Sequence, residues 1–168
     1  MLYKAFLIAA VIVCSYYLGL LGEKRIKGRL AQLKSISHAL SIFSRAVTEQ
    51  SMTAPDALIY CGQKEWQTFA ECGRILKKYP RLGAERVLEQ GLKNANEESE
   101  PEDRKLVKEF LDCVFSAISS SDIDSACTRY TLELAERMKD ISEVRLKKAR
   151  LKKAMFIMGG IAVSIILV

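Results

Sequence analysis

The 168 residues contain one histidine and three prolines, and no glycine-rich phosphate loop anywhere. Each shortage excludes something. A lone histidine, His38, rules out the paired-histidine and H-E-x-x-H spacings of a zinc site. As a general base it would need an orienting partner, and the sequence marks none beside it. The pattern G-x-x-x-x-G-K-[ST] is missing, so the chain is not expected to hydrolyse a nucleotide alone. Five cysteines, an odd number, include no C-x-x-C pair. That is not a secreted disulfide framework, and Cys61, Cys72, Cys113 and Cys127 read as small apolar residues inside helices. Glu97, Glu98, Glu100, Glu102 and Asp103 are dense enough to suggest Ca²⁺. They lack the alternating oxygen ligands and the turn glycine of a calcium loop. No metal, no cofactor and no catalytic residue is therefore expected. Strand-type alternation and internal repeats are also missing.

Charge is missing in two places, and these organise the rest. Ala154 to Val168 contains no charged side chain and follows six cations: Arg145, Lys147, Lys148, Arg150, Lys152 and Lys153. In water it would be a large apolar patch; in a bilayer it is a short membrane helix with a basic collar at the headgroups. Fifteen helical residues rise roughly 22 Å against about 30 Å of hydrocarbon. Snorkelling by Lys152 and Lys153 adds apolar length. Whether this short span crosses fully is left open, and a buried helix of a water-soluble domain is the plainer alternative. Ala5 to Leu21 is equally free of charge and is followed by Lys24, Arg25, Lys27 and Arg29. It continues past Ala9-Ala10, and Val13 precedes Cys14, so neither a cleaved signal nor a lipid-modified cysteine fits well.

The flanking cations set a topology. Ten lie on the inner side of the two runs, and only Lys4 lies on the other. The positive-inside rule then places the intervening residues in the cytoplasm and both termini outside. Between Leu30 and Val144 there are 15 Lys or Arg against 19 Asp or Glu, a net of −4. The domain itself is mildly acidic, which argues against nucleic acid. The chain divides as residues 1–22, an N-terminal transmembrane helix; 23–153, a cytoplasmic helical bundle; and 154–168, a C-terminal transmembrane helix.

The domain reads as all helix, a single bundle of about six helices. Leu30, Leu33, Ser37, Leu40, Ser44 and Val47 keep three-four spacing, widened by Ile36 and Phe43, and this helix should continue directly from the first uncharged run. Thr53-Ala-Pro-Asp56 is a capping box that opens a short helix stopped at Gly62. Glu65 to Tyr79 follows and ends at Pro80; Ala84 to Asn94 buries Val87, Leu88 and Leu92. The polar stretch Asn94 to Asp103 reads as a mobile loop. Ser99-Glu-Pro-Glu102 is a second capping box, opening a helix that buries Leu106, Val107, Phe110, Leu111, Val114 and Phe115. Ser121-Asp-Ile-Asp124 is a third cap, and from it one helix should run unbroken into the last uncharged stretch. Ser15-x-x-x-Gly19 and Gly160-x-x-x-Ser164 are small-x-x-x-small pairs at which helices could pack or self-associate.

In this order and spacing, the chain resembles the stage III sporulation protein AB family of endospore-forming bacteria. The carrying residues are Leu18-Gly19 and the basic turn, Gln32-Leu-x-x-Ile36-x-x-Ala39-Leu40, Pro55-Asp-Ala-Leu58, Ser121-Asp122 and Gly159-Gly160. Met52-Thr53 stands where that family usually has Thr-Pro, and Ser119 where it has glycine. The resemblance implies a domain similar to the cytoplasmic six-helix domain of the platform protein of type II secretion and type IV pilus machines, a scaffold and not an enzyme. It implies a place in the mother-cell membrane facing the forespore, within a channel complex, with a secretion-type cytoplasmic ATPase and other complex subunits as partners. The acidic cluster Glu97, Glu98, Glu100, Glu102 and Asp103 is the candidate contact for that ATPase. The alternative is a membrane-surface adaptor recruited to anionic lipid through the basic flanks, without a motor.

Overall fold

The computed structural model describes the backbone of residues 2–167; the side chains of residues 2–12, 15, 16, 18, 19, 156 and 160–168 lie outside the described set. Among the described residues the chain is all α, with no strand. The helices are α1 (Leu2–Thr48), α2 (Ala54–Lys64), α3 (Gln67–Lys78), α4 (Ala84–Ala95), α5 (Pro101–Ser116), α6 (Ser120–Asp140) and α7 (Leu146–Leu167). They divide into two compact units, Gln32–Arg137 and the pair of arms Met1–Ala31 with Met138–Val168.

α1 is continuous, as the apolar spacing requires. The expected membrane helices are not borne out in the same way. Among the described residues no helix is long and apolar enough to cross a membrane. The expected packing residues Ser15, Gly19, Gly160 and Ser164 fall outside the described side chains.

Six helical segments build the Gln32–Arg137 unit. Leu33, Ile36, Ala39, Leu40 and Phe43 form the buried stripe of α1. Phe110 of α5 lies at the centre. Its ring meets Phe43 at 5.7 Å, Tyr130 at 5.7 Å and Phe69 at 6.0 Å between centroids. The first two contacts are edge-to-face, which the ring quadrupoles favour. Trp66 packs on Phe69 at 4.8 Å.

Several local expectations shift. α2 does not stop at Gly62 but runs two residues further, to Lys64. Gly62 is there because a Cβ would collide with the backbone of Ala70 on α3. Gly73 answers from α3, where a Cβ would lie 2.5 Å from the Pro55 carbonyl oxygen and 2.7 Å from Ile59 Cγ1. Missing side chains let these two helices approach closely. Phe115, expected in the core, is 37% exposed at the end of α5.

The caps also move. Thr53 is the N-cap of α2, but its side chain makes no cap bond to the helix backbone; its hydroxyl donates to the Asp56 carboxylate at 2.6 Å instead. The second box does not form. Pro101 occupies the first turn, so Glu100 becomes the cap, and the Ser99 hydroxyl is buried without a partner. The third box lies two residues earlier than expected. Ser119 Oγ accepts from the Asp122 N–H at 3.2 Å, while Asp122 Oδ2 accepts from the Ser119 N–H at 2.9 Å. The last helix is not uniformly α. A π-helical turn, Ile141–Arg145, separates α6 from α7, just beyond the boundary of the compact unit.

Candidate functional site

The expected mobile loop, Asn94 to Asp103, is a fixed segment. Asn96 ends α4 in the left-handed conformation, at φ 53 and ψ 40. The Glu97 N–H then reaches back to the Leu92 carbonyl at 3.1 Å, and the Asn96 N–H to Lys93 at 3.3 Å. This Schellman turn satisfies the last carbonyls of α4 and throws the chain over α3. There Thr68 Oγ1 donates to Glu97 Oε2 at 2.6 Å. Gln32 of α1 donates to the Glu98 carbonyl at 2.9 Å, and Arg104 to the Ser99 carbonyl at 2.8 Å.

Asp103 closes the segment. It lies in the first turn of α5, where the helix dipole favours a carboxylate, yet it is only 2% exposed. Its charge is met by Arg137 of α6 at 3.6 Å. The same guanidinium donates to the Glu102 carbonyl at 3.0 Å and to Glu133 at 2.8 Å. A buried carboxylate needs such a partner, because desolvation alone would expel it.

The five carboxylates expected as one contact surface therefore separate. Glu97 is half-buried and bonded, and Asp103 is buried and ion-paired. Glu98 and Glu102 are exposed, and Glu100 is half-buried. Gln32 and Arg137, which hold the segment, are the first and last residues of the compact unit.

The arms carry the basic residues. Lys24, Arg25, Lys27, Arg145, Lys147, Lys148, Arg150 and Lys152 are exposed, while Arg29 and Lys153 are half-buried. One acid is set among them. Glu23 pairs with Lys27 at 2.8 Å and with Lys153 at 3.4 Å, linking α1 to α7 across 130 positions of sequence. The Lys27 ammonium first, and Lys153 after it, hold the Glu23 carboxyl below its usual range. In the sequence Glu23 marked only the end of an uncharged run.

Among the described residues the remaining candidates stay apart. His38 is exposed, with its Nδ1 3.8 Å from Glu65, a pairing the sequence did not disclose. Cys61, Cys72 and Cys127 are buried, and burial pushes each thiol up to about 12, away from thiolate chemistry. Among the described residues no group of three or more His, Cys, Asp or Glu could hold a metal ion.

A model of the stage III sporulation protein AB family matches residues 4–168. The chain belongs to that family. It is a sporulation protein. No curated protein and no solved structure matches it. For this member of the family, sequence reasoning missed Thr68, Gln32 and Arg137, which order the acidic segment. Only the i, i+4 pair Glu133–Arg137 left a local signal.

Proposed function

We propose that this family member is a non-enzymatic, membrane-anchored platform of a trans-envelope complex between mother cell and forespore, and that it docks a cytoplasmic ATPase. One observation carries the reading. The two uncharged runs, 5–21 and 154–168, are joined to the helical unit through ten cations, against Lys4 alone beyond them. That asymmetry favours two anchors with the unit on the cytoplasmic side. The sequence has no phosphate-binding loop, so a nucleotide-driven step would belong to a partner. Glu98 and Glu102 are the exposed carboxylates of the segment, so they are the proposed docking contact. Rim carboxylates of this kind act mainly on association rate and are screened by salt.

The test titrates the full chain in mild detergent with the purified ATPase at low and high salt. Binding should be salt-dependent, and Glu98→Gln with Glu102→Gln should slow association, with the melting temperature of the double variant measured alongside to separate docking from folding. No binding at low salt would remove the docking role. A second reading, an adaptor held on anionic lipid, is favoured by the exposed row Lys147, Lys148, Arg150 and Lys152. Release of the protein from membranes by a high-salt wash would select it.

A further inference from the structure

At the other end of α5, a cleft of about 430 Å³ opens between the last turn of α5 and the first turns of α6. Cys113, Ser116, Ile118, Asp122, Ser125 and Arg129 line it. Its volume is in the range of specific binding sites. We propose that this cleft docks a segment of a partner protein that carries a carboxylate next to an aliphatic side chain. The proposal does not depend on the ATPase reading.

Charge complementarity names the carboxylate. Arg129 Nη2 donates to the Tyr130 hydroxyl at 3.1 Å and to Cys113 Sγ at 3.3 Å. Its guanidinium carbon lies 4.7 Å from the centre of the Tyr130 ring. Burial, first of all, lifts the Tyr130 hydroxyl to about 12, so it stays protonated and offsets none of the charge. Asp122, in the same cleft, accepts from the Ser119 and Ile118 amides, and Asp124 from the Ser44 hydroxyl. Among the described residues Arg129 is thus held in one orientation by a ring, a hydroxyl and a sulfur, with no carboxylate in ion-pair contact. A pre-set planar fork loses little entropy when it takes a carboxylate.

Exposure names the aliphatic neighbour. Ile118 is 98% exposed, on a connector whose amides are fixed by Asp122. A scattered apolar side chain is ordinary; one held at the edge of a cleft that also holds a guanidinium without an ion-pair partner makes a composite contact. The net charge of −4 from Leu30 to Val144 adds direction. An acidic segment is repelled by most of this unit and attracted at Arg129, which favours one docking position.

The experiment uses the full chain in mild detergent and a set of short fluorescent peptides. Each contains one Asp or Glu and one Leu or Ile at varied spacing; controls replace the acid by its amide or the aliphatic by alanine. Anisotropy should show binding that weakens about tenfold in either control. Arg129→Gln should weaken acidic peptides about tenfold and erase their advantage over the amides. Ile118→Ser, a change at a surface connector that leaves the fold intact, should weaken them severalfold. Inorganic phosphate should not compete. The proposal is overturned if no peptide binds, if both variants bind like the parent, or if phosphate displaces the peptide. It is overturned in favour of a second copy of this chain if Ile118→Ser instead lowers the oligomeric mass.

Discussion

The two ends of α5 are built from the same stock of charged residues and put it to opposite use. At the N-terminal end, Asp103 pairs with Arg137, Arg137 also donates to the Glu102 carbonyl, and Glu97 accepts from Thr68. At the C-terminal end, Arg129 meets only a phenol and a sulfur, and Ile118 stands in solvent. The acidic cluster is thus partly structural, through Glu97 and Asp103, and a single arginine in an unremarkable stretch has no carboxylate in ion-pair contact. Density of charge is a poor guide to availability, because an internal partner brought close by the fold removes a charged group from the surface.

Mutations should separate the two ends by size of effect. Asp103→Leu strips Arg137 of its buried partner and should cost about 3 kcal/mol, softened by the contacts Arg137 keeps with Glu133 and the Glu102 carbonyl. Urea unfolding followed at the one tryptophan, Trp66, which is buried, would read it. A loss under about 1 kcal/mol would mean that this end is not closed by the ion pair. Thr68→Val removes the hydroxyl bonded to Glu97 and should cost about 1 kcal/mol, since water can replace it at a half-exposed carboxylate.

The smallest effect belongs to the open end and depends on pH. The Ser119 hydroxyl first, then the Ser119 and Ile118 amides, hold the Asp122 carboxyl below the usual carboxylate range. A lowered value means that the cap contributes fully above about pH 4 and is lost as pH falls through the folded-state value. The protection of the Ile118 and Ser119 amides, relative to intrinsic exchange at the same pH, should therefore fall on acidification below about pH 4, while the Glu97 amide bonded to Leu92 stays protected. Equal acid response at both ends would erase the contrast.

Much of this was legible in the sequence. The stripe Leu33, Ile36, Leu40 and Phe43 predicts α1, because burial at helical spacing needs no distant information. The Thr53–Asp56 pair was visible for the same reason. The errors have local causes. Pro101 fixes the start of α5, so Ser99 cannot cap it. Ser121 has the spacing of a cap to Asp124, but Asp122 selects Ser119 by its reciprocal bond. Gly62 looked like a stop because its real function, admitting Ala70, depends on another helix. The acidic segment was misread because its partners lie far off in sequence. Thr68 is 29 positions from Glu97, and Gln32 is 66 from Glu98. No periodicity reports such a contact. Arg129 was invisible as a site because what distinguishes it is a guanidinium fixed by Tyr130 and Cys113 with no carboxylate in ion-pair contact, which only the assembled fold discloses.

The proposed attachment of the Gln32–Arg137 unit to a membrane through both arms, with that unit facing the cytoplasm, rests on the charge asymmetry of the flanks. The most direct measurement fuses a reporter active only outside the cytoplasm to three places in the chain: before Lys4, after Val168, and after Arg81 in the exposed connector between α3 and α4. The account predicts activity at both ends and silence after Arg81, with the protein resisting a high-salt wash. Activity after Arg81, or silence at all three places, would contradict it.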